Sequence, residues 1–411
     1  MSVELDSGGA QLICSVRDGA ELTGCLVMDS LVGGRSCGGL RMVPEIDEGE
    51  MRRLASNMTL KFGFLGVPRG GAKAAVRGDP EAPREERWAR LAQFGQAIAP
   101  LLQHHVFSCG ADAGTEPADI RHMLEAVGVS AERRWSDIVP PGYYPALTVI
   151  TGARAAARHL GIDLGGLTAA VEGWGKVGTA MGRFLDEVGT RVVAISTSRG
   201  AIYDPQGLDV KRLLELARQH GSRVVELYEG AQHIELDALL ELPVDLLSPC
   251  AKEDSVHAGN VERIKARMVC SGANNAVTLE ADRALFARGV LCLPDFVTNC
   301  GNILGSAMEV AWMSTEHTTA FIQRYVGESI RRLLEEAAAR HVPPRDVAIP
   351  FALRRFQQMR RKAARPTISD HLVGLGVELN RRGLVPGPIV AAVSRRYFER
   401  LVAQLNQPEA A

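Results

Sequence analysis

The sequence predicts an α/β protein of two domains followed by a mainly helical segment. Three observations carry this. Strand-like and helix-like patterns alternate from Leu167 to Asp295, as in a doubly wound parallel sheet. A glycine-rich turn, Gly173–Gly178, joins an apolar strand to an amphipathic helix. The Pro/Gly-rich stretch Val139–Pro145, VPPGYYP, breaks the periodic patterns on either side and reads as a domain boundary. The expected organisation is an N-terminal α/β domain over 1–144, a doubly wound domain over 145–312, and a helical segment over 313–411 that returns to the first domain.

The elements follow in order. Leu22–Asp29 (LTGCLVMD) reads as a strand. Glu48–Phe62 reads as a helix, with Met51, Leu54, Ala55, Met58 and Phe62 at helical spacing and Lys61 at the edge of that stripe. Lys73 follows a Pro-x-Gly-Gly turn and leads into the apolar run Ala74–Val76. Trp88–Leu102 and Val149–Leu160 are further helices. In the second domain Thr168–Glu172 is a strand, Val177–Val188 a helix and Arg191–Ile195 the next strand. Leu246–Leu247, Met268–Cys270 and Val290–Leu293 are later strands, and Phe321–Ala339, Arg354–Arg365 and Ile389–Leu405 the closing helices.

Composition narrows the function. The chain has 411 residues, 46% hydrophobic and 23% charged, with a net charge of −1. That is ordinary globular usage, with no overall field to draw nucleic acid or a membrane surface, so neither is an expected partner. No apolar run approaches the ~20 residues of a spanning helix. The start, MSVELDSGGAQ, lacks the pattern of a secretory signal, so a cytoplasmic location is expected. Eight cysteines lie scattered without a C-x-x-C pair, which reads as reduced thiols with no metal site.

Gly173-Trp174-Gly175-Lys176-Val177-Gly178 fits G-x-G-x-x-G. After a strand and before a helix, this is the fingerprint of a Rossmann-type dinucleotide site. The glycines allow a tight turn and a close approach of the pyrophosphate, and the helix N-terminus offers free N–H groups. The residue that selects at the ribose belongs at the end of the next strand. There stand Thr197 and Arg199 and no acid. An acid would repel a 2′-phosphate, whereas hydroxyls and an arginine receive one. NADP is favoured and NAD remains open.

Taken alone, Lys61 reads as a solvated helix cap, Lys73 as a strand residue after a turn, and Asp112 as a turn or cap aspartate. The ordered combination reads differently. Gly38-Gly39-Leu40-Arg41-Met42, Met58-Thr59-Leu60-Lys61, Pro68-Arg69-Gly70-Gly71-Ala72-Lys73, Ala111-Asp112-Ala113-Gly114-Thr115, Ser271-Gly272-Ala273-Asn274-Asn275 and Pro294-Asp295-Phe296-Val297-Thr298-Asn299-Cys300-Gly301 follow one another in the chain. In this order they resemble the glutamate/leucine/phenylalanine/valine dehydrogenase family, from about Gly38 to about Trp312. The resemblance implies a homo-oligomeric amino acid dehydrogenase: reversible NAD(P)-dependent oxidative deamination of an L-amino acid to a 2-keto acid and ammonia. It implies that the first domain binds substrate and carries oligomer contacts. It gives Lys61 the substrate α-carboxylate, Lys73 the catalytic proton, and Asp112 the acid–base partnership. It places Asn274 and Asn299 near the nicotinamide and its ribose. Gly38 and Gly39 either offer backbone N–H groups to the carboxylate or shape a turn.

The sequence departs from the family at informative places. In the glutamate-specific branch a lysine precedes the Gly-Gly-x-Arg motif and pairs with the substrate's side-chain carboxylate. Here that position is Cys37, a mostly neutral thiol. Ser306 matches the serine that assists that contact. Cys37 suits an apolar or aromatic side chain, unless it is simply packed and another residue selects. Pro145 stands where the family has a threonine beside the cofactor, and Thr197 replaces its usual acid. The expectation is therefore an enzyme acting on an amino acid with an apolar or aromatic side chain. A glutamate dehydrogenase and a non-catalytic binding or regulatory paralogue are the alternatives. The basic run Arg354–Arg365 reads as a solvated helix face at an oligomer contact.

Overall fold

Burial alternates residue by residue along Ser36–Val43. A period of two marks a strand with unequal faces, and it runs straight through the Gly38-Gly39 pair. The computed structural model describes residues 2–4, 10–130, 139–365, 379–380 and 384–405. The chain divides into two compact units, Met1–Arg133 with Phe351–Arg382, and Arg134–Pro350 with Gly383–Ala411. Among the described residues no helix is long and apolar enough to cross a membrane.

The first unit is built on a six-stranded sheet of order β1-β2-β3-β5-β4-β6. Its strands are β1 (Ser2–Glu4), β2 (Leu12–Asp18), β3 (Glu21–Met28), β4 (Ser36–Val43), β5 (Gly70–Arg77) and β6 (Phe107–Ala111). The first three and β5 pair antiparallel, while β4 runs parallel to β5 and to β6. Helix α1 (Glu48–Leu65) covers one face, where Met51, Leu54 and Ala55 pack with Val27 and Ala75. Of these, each of the fully buried larger side chains Val27, Met51 and Leu54 contributes about 1.5–3 kcal/mol. The opposite face carries Leu26, Leu40, Ala74 and Val76 against Leu91, Phe94, Ile120 and Met123. These last come from α2 (Arg84–Ala97) and α4 (Pro117–Glu125), with α3 (Ala99–Gln103) between them.

Helix α1 has well-defined ends. Asp47 caps its N-terminus by accepting from Gly49 N at 2.8 Å, and Gly66 closes it in the left-handed region at φ 69°. The C-terminal half of a later helix, α14 (Pro344–Ala364), packs on that end. Phe351 meets Phe64 edge-on at 6.0 Å, and Arg355 donates to the Phe64 carbonyl at 2.6 Å. Arg355 thus satisfies one of the open carbonyls of a helix end, where the sequence suggested a solvated helix face at an oligomer contact.

The second unit opens with α5 (Tyr143–His159), so Tyr143–Pro145, within the stretch read as a domain boundary, forms a first helical turn. Proline is tolerated there because that N–H has no partner in the helix. Next come β7 (Thr168–Glu172), α6 (Lys176–Glu187), β8 (Arg191–Thr197), β9 (Gly200–Tyr203), α7 (Val210–His220), α8 (Val224–Leu227), β10 (Gln232–Ile234), α9 (Leu236–Leu240) and β11 (Leu246–Pro249). After them follow β12 (Met268–Cys270), α10 (Leu279–Ala287), β13 (Leu291–Leu293), α11 (Asp295–Thr298), α12 (Gly301–Val310), α13 (Thr315–Arg340) and, beyond α14, α15 (Gly387–Leu405). The sheet order is β10-β9-β8-β7-β11-β12-β13. Five of these strands, β7, β8, β11, β12 and β13, are parallel, and a β8–β9–β10 antiparallel extension closes one edge. The chain leaves β7 to one side for β8 and returns to its other side for β11. That reversal is a topological switch point, where open α/β sheets bind ligands beyond the strand ends.

Candidate active site

Register fixes the arrangement of the candidate residues in the first unit. Val27 lies opposite Lys73, and Val27 belongs to the face covered by α1. Cys37 pairs with Gly71 and Leu40 with Ala74, so Gly39 runs beside Lys73. Gly39 pairs in turn with Gly110, and Leu40 with Ala111, which puts Asp112 beside Arg41. Cys37, Gly39, Arg41, Lys73 and Asp112 therefore share one face of the sheet.

Asp112 directly follows β6, the strand two places from β5, with β4 between them. It reaches across β4 at Gly39. A Cβ on Gly39 would fall 2.8 Å from Asp112 Cβ. Through that gap Asp112 Oδ2 comes within 2.6 Å of Lys73 Nζ, whose side chain is 4% exposed. Arg41 Nε donates to the same oxygen at 3.1 Å, and Arg41 also pairs with Glu50 from the first turn of α1. Burial pushes the Asp112 carboxyl up, but the Lys73 and Arg41 cations outweigh it and hold the group below the ordinary carboxylate range. The turn after β6 fixes the aspartate. Thr115 Oγ1 accepts from Asp112 N at 2.9 Å and donates to the Leu40 carbonyl at 2.7 Å. The Asp112 side chain is thus committed to two cations and caps no helix.

Lys61 is buried, 6% exposed. It lies on α1 two residues beyond Thr59, whose backbone N would be 2.2 Å from a Cβ on Gly71. Glycine at 71 lets α1 settle directly on the strand that carries Lys73. Gly38 has a packing duty on the opposite face, because a Cβ there would fall 1.8 Å from the Ala72 carbonyl. Cys37 is partly exposed on the Lys73 face.

The second unit presents the glycine turn expected to hold a pyrophosphate. Gly173 has φ +88°, and a Cβ there would meet the Ala251 backbone at 2.9 Å. Gly178 packs against the Gly173 carbonyl, which a Cβ would approach to 1.8 Å. Gly175, by contrast, has nothing within 4 Å of its Cβ position. Two glycines close the turn and the third leaves its outer surface open, which is the shape a pyrophosphate needs. Lys176 is exposed at the first turn of α6 and adds a cation to the helix N-terminus. Ser196 holds the turn by accepting from Gly173 N at 3.0 Å. Asn299 donates to the Ala273 carbonyl and to Asn274 Oδ1, both at 3.1 Å. Its own Oδ1 is buried with no partner among the described residues, an acceptor left for a ligand donor. These features fit a dinucleotide.

Residues 144–363 match the family model for Glutamate/Leucine/Phenylalanine/Valine dehydrogenase, and residues 12–128 match the Glu/Leu/Phe/Val dehydrogenase dimerisation domain. The chain is 35% identical over 300 residues to a glutamate dehydrogenase of Thermotoga maritima, covering 70% of this chain and 72% of that one. The chain belongs to the Glu/Leu/Phe/Val dehydrogenase family. It is also 30% identical over 342 residues to an NADP(+)-dependent glutamate dehydrogenase of Pyrobaculum calidifontis, with 78% and 81% covered. In fold it is similar to a hetero-hexameric glutamate dehydrogenase from Thermus thermophilus, at TM-score 0.76 and 23% identity, covering 86% and 89% of the two chains. As a member of this family it is an NAD(P)-dependent oxidoreductase acting on the CH–NH2 group of amino acids.

Within this amino acid dehydrogenase the predicted residues fall into two sets. Lys73, Asp112, Gly39 and Cys37 come together on one face in the first unit, with Lys61 on the helix that covers it. Gly173–Gly178, Asn274 and Asn299 come together in the second, where Ser306 lies on α12. Two residues differ from expectation in what their side chains do. Trp174 turns inward, 4% exposed, and fills the space over Gly182, so only its backbone belongs to the open turn. Thr197 gives its one hydroxyl proton to the Ser222 carbonyl at 2.8 Å and accepts from Arg199 N at 3.1 Å, tying the β8 end. That leaves Ser198 and Arg199 as the exposed groups there. Arg41, Glu50 and Ser196 are the contributors that sequence reasoning missed. Arg41 stands inside the Gly-Gly-x-Arg motif, but nothing in its spacing reveals its partner.

Proposed function

We propose reversible oxidative deamination of an L-amino acid with an apolar or aromatic side chain. The observation that carries this reading is the 2.6 Å Lys73–Asp112 pair on the same sheet face as Cys37. Amino acid, NAD(P)+ and water become 2-keto acid, ammonia, NAD(P)H and a proton. The bound nicotinamide supplies the hydride acceptor. Lys61 pairs with the α-carboxylate. Lys73 in its neutral form takes a proton from the water that adds to the iminium carbon. Asp112 Oδ2 is held by two cations, so Oδ1 is the oxygen that meets the substrate nitrogen, takes the proton the ammonium must lose before hydride transfer and returns it to the departing ammonia. A non-catalytic paralogue would have no need of a lysine buried against this carboxylate.

Cys37 offers no cation to a second carboxylate, so a panel of amino acids should rank apolar or aromatic substrates above glutamate. A difference of tenfold or more in kcat/KM corresponds to about 1.4 kcal/mol. Following absorbance at 340 nm with both cofactors, and in reverse with 2-keto acids and ammonia, tests this. Glutamate as best substrate would establish the glutamate dehydrogenase reading instead, and no turnover in either direction would leave the non-catalytic one.

For the cofactor we favour NADP, received by Ser198 and Arg199 beside the β8 end. Arg199→Ala is expected to raise KM for NADP about tenfold, the worth of one exposed charge-assisted hydrogen bond, with KM for NAD changing less than twofold. Equal changes for both would remove Arg199 from the 2′-phosphate. We place the protein in the cytoplasm, where its eight cysteines stay reduced. We infer a homo-oligomer, since the first unit matches a dimerisation domain.

A further inference from the structure

A chain of hydrogen bonds ties helix α1 to the strand that carries Lys73. Gly71 of β5 donates its amide to Ser30 Oγ at 2.9 Å. Ser30 Oγ lies 2.6 Å from Thr59 Oγ1 of α1, and Thr59 Oγ1 donates to Asp29 Oδ2. The Gly71 carbonyl in turn accepts from Asp29 N and Ser30 N, at 3.0 and 3.3 Å. Asp29 and Ser30 directly follow β3. Ser30 and Thr59 are buried, and Asp29 is half-buried.

Only one direction of donation fits this chain. An amide N–H only donates, and an ionised carboxylate only accepts. Each hydroxyl has one proton. Thr59 gives its proton to Asp29, so Ser30 donates to Thr59 and accepts from Gly71. A threonine inside a helix commonly returns its hydroxyl proton to the carbonyl four residues back. Here that carbonyl, of Ala55, is 3.5 Å away. The proton leaves the helix for Asp29 instead, and a bond within α1 becomes a bond between α1 and the sheet.

The tie sits where it governs Lys61. Two residues turn an α-helix by about 200°. Thr59 and Lys61 therefore take opposite edges of the stripe that α1 buries through Met51, Leu54 and Ala55. Apolar contacts along the middle of a stripe are non-directional and let a helix roll on its bed. A polar tie at one edge fixes the roll. A roll of about 10° carries a side-chain tip, about 6 Å from the helix axis, through about 1 Å. We propose that Thr59, held by Asp29 and Ser30, is a positioning residue that sets the roll of α1 and with it the reach of Lys61 toward the substrate α-carboxylate. Thr59 touches neither substrate nor cofactor in this role; it acts through the helix that carries Lys61. The proposal rests on the reading of Lys61 given above.

The test is the split between KM and kcat in the intact enzyme, on its best substrate from the panel at saturating dinucleotide. Thr59→Val keeps the side-chain shape and removes the hydroxyl. With the tie gone, only a fraction of molecules holds Lys61 in place, and apparent affinity falls by that fraction. Thr59→Val should therefore raise KM for the amino acid about tenfold, with kcat and KM for the dinucleotide within about twofold of wild type, because bound substrate selects the competent roll. KM for the 2-keto acid should rise by the same factor, since it presents the same carboxylate. Thr59→Ser keeps the hydroxyl and should restore most of the loss. A wild-type KM for the amino acid in a folded Thr59→Val variant, even with a lower melting temperature, would make the tie merely structural and overturn the proposal. A Thr59→Ser variant as impaired as Thr59→Val would overturn it too, by giving the effect to packing. Should Thr59→Val fail to fold, Ser30→Ala breaks the next link: KM for the amino acid should rise several-fold, and a wild-type value would overturn the proposal equally. Lys61→Ala run alongside separates the two levels. If it leaves KM for the amino acid unchanged, the reading of Lys61 itself fails; if it raises that KM while Thr59→Val does not, only the present inference fails.

Discussion

Lys73→Ala should lower kcat by at least about a thousandfold, the upper part of the range for losing a general acid–base group, or about 4 kcal/mol of transition-state stabilisation. The size follows from the site. Lys73 is the cation nearest Asp112, and its side chain is 4% exposed, so little water stands ready to replace it as proton carrier. The fold should survive. Removing one partner of a buried pair is costly when the other is left without a counter-charge, but Asp112 keeps Arg41 at 3.1 Å. The dinucleotide turn lies in the other compact unit, around Gly173–Gly178. Dinucleotide affinity, read by titration of protein fluorescence, should therefore change less than twofold. A kcat within tenfold of wild type, with the fold intact by circular dichroism, would take the proton from Lys73 and give it to another group. A small primary amine added to the alanine variant should restore part of the rate, since the space the side chain leaves lies beside the Asp112 carboxylate.

How much of this was legible in the sequence depends on the range of the interaction. Helix α1 was legible because its apolar residues recur at helical spacing over several turns. The β7–turn–α6 unit was legible because its glycines do local work that no other residue does: Gly173 has φ +88°, and Gly178 presses on the Gly173 carbonyl. Strand β4 was harder. Its glycine pair suits a turn as well as a strand, and only the two neighbouring parallel strands decide between them. The strands of the antiparallel extension β9–β10 are four and three residues long, too short for a periodic signal to expose them. In the site, Lys73 and Asp112 could each be named from their motifs, but their distance is a tertiary fact. It depends on β4 lying between their strands and on a glycine at the crossing. Thr197 shows the opposite failure. A free hydroxyl at the right position in the fingerprint turned out to be spent on the Ser222 carbonyl, a bond between segments whose proximity no local pattern reveals.

Gly39→Ala is expected to lower kcat about a hundredfold, the effect of displacing a catalytic pair by roughly an ångström, while the protein still folds. Neither Gly38 nor Gly39 has a positive φ, so both are glycine for space and not for backbone freedom. The space differs. At Gly38 an added Cβ would fall 1.8 Å from the Ala72 carbonyl, part of the adjoining strand, and the sheet would have to open. At Gly39 it would fall 2.8 Å from Asp112 Cβ and 3.2 Å from its Cγ. The aspartate sits at the end of β6, on a turn with its own hydrogen bonds, and can swing aside. Overpacking of this kind costs about 1–3 kcal/mol, and here the relaxation runs along the line joining Asp112 to Lys73. Gly39→Ala should therefore lose rate far more than melting temperature, while Gly38→Ala should lose the fold. The two substitutions sit next to each other in one strand and add the same methyl group, so a difference between them reports on the crossing itself. Wild-type kcat in a folded Gly39→Ala variant would mean that Asp112 reaches Lys73 without the gap, and that the glycine at this position serves some other purpose.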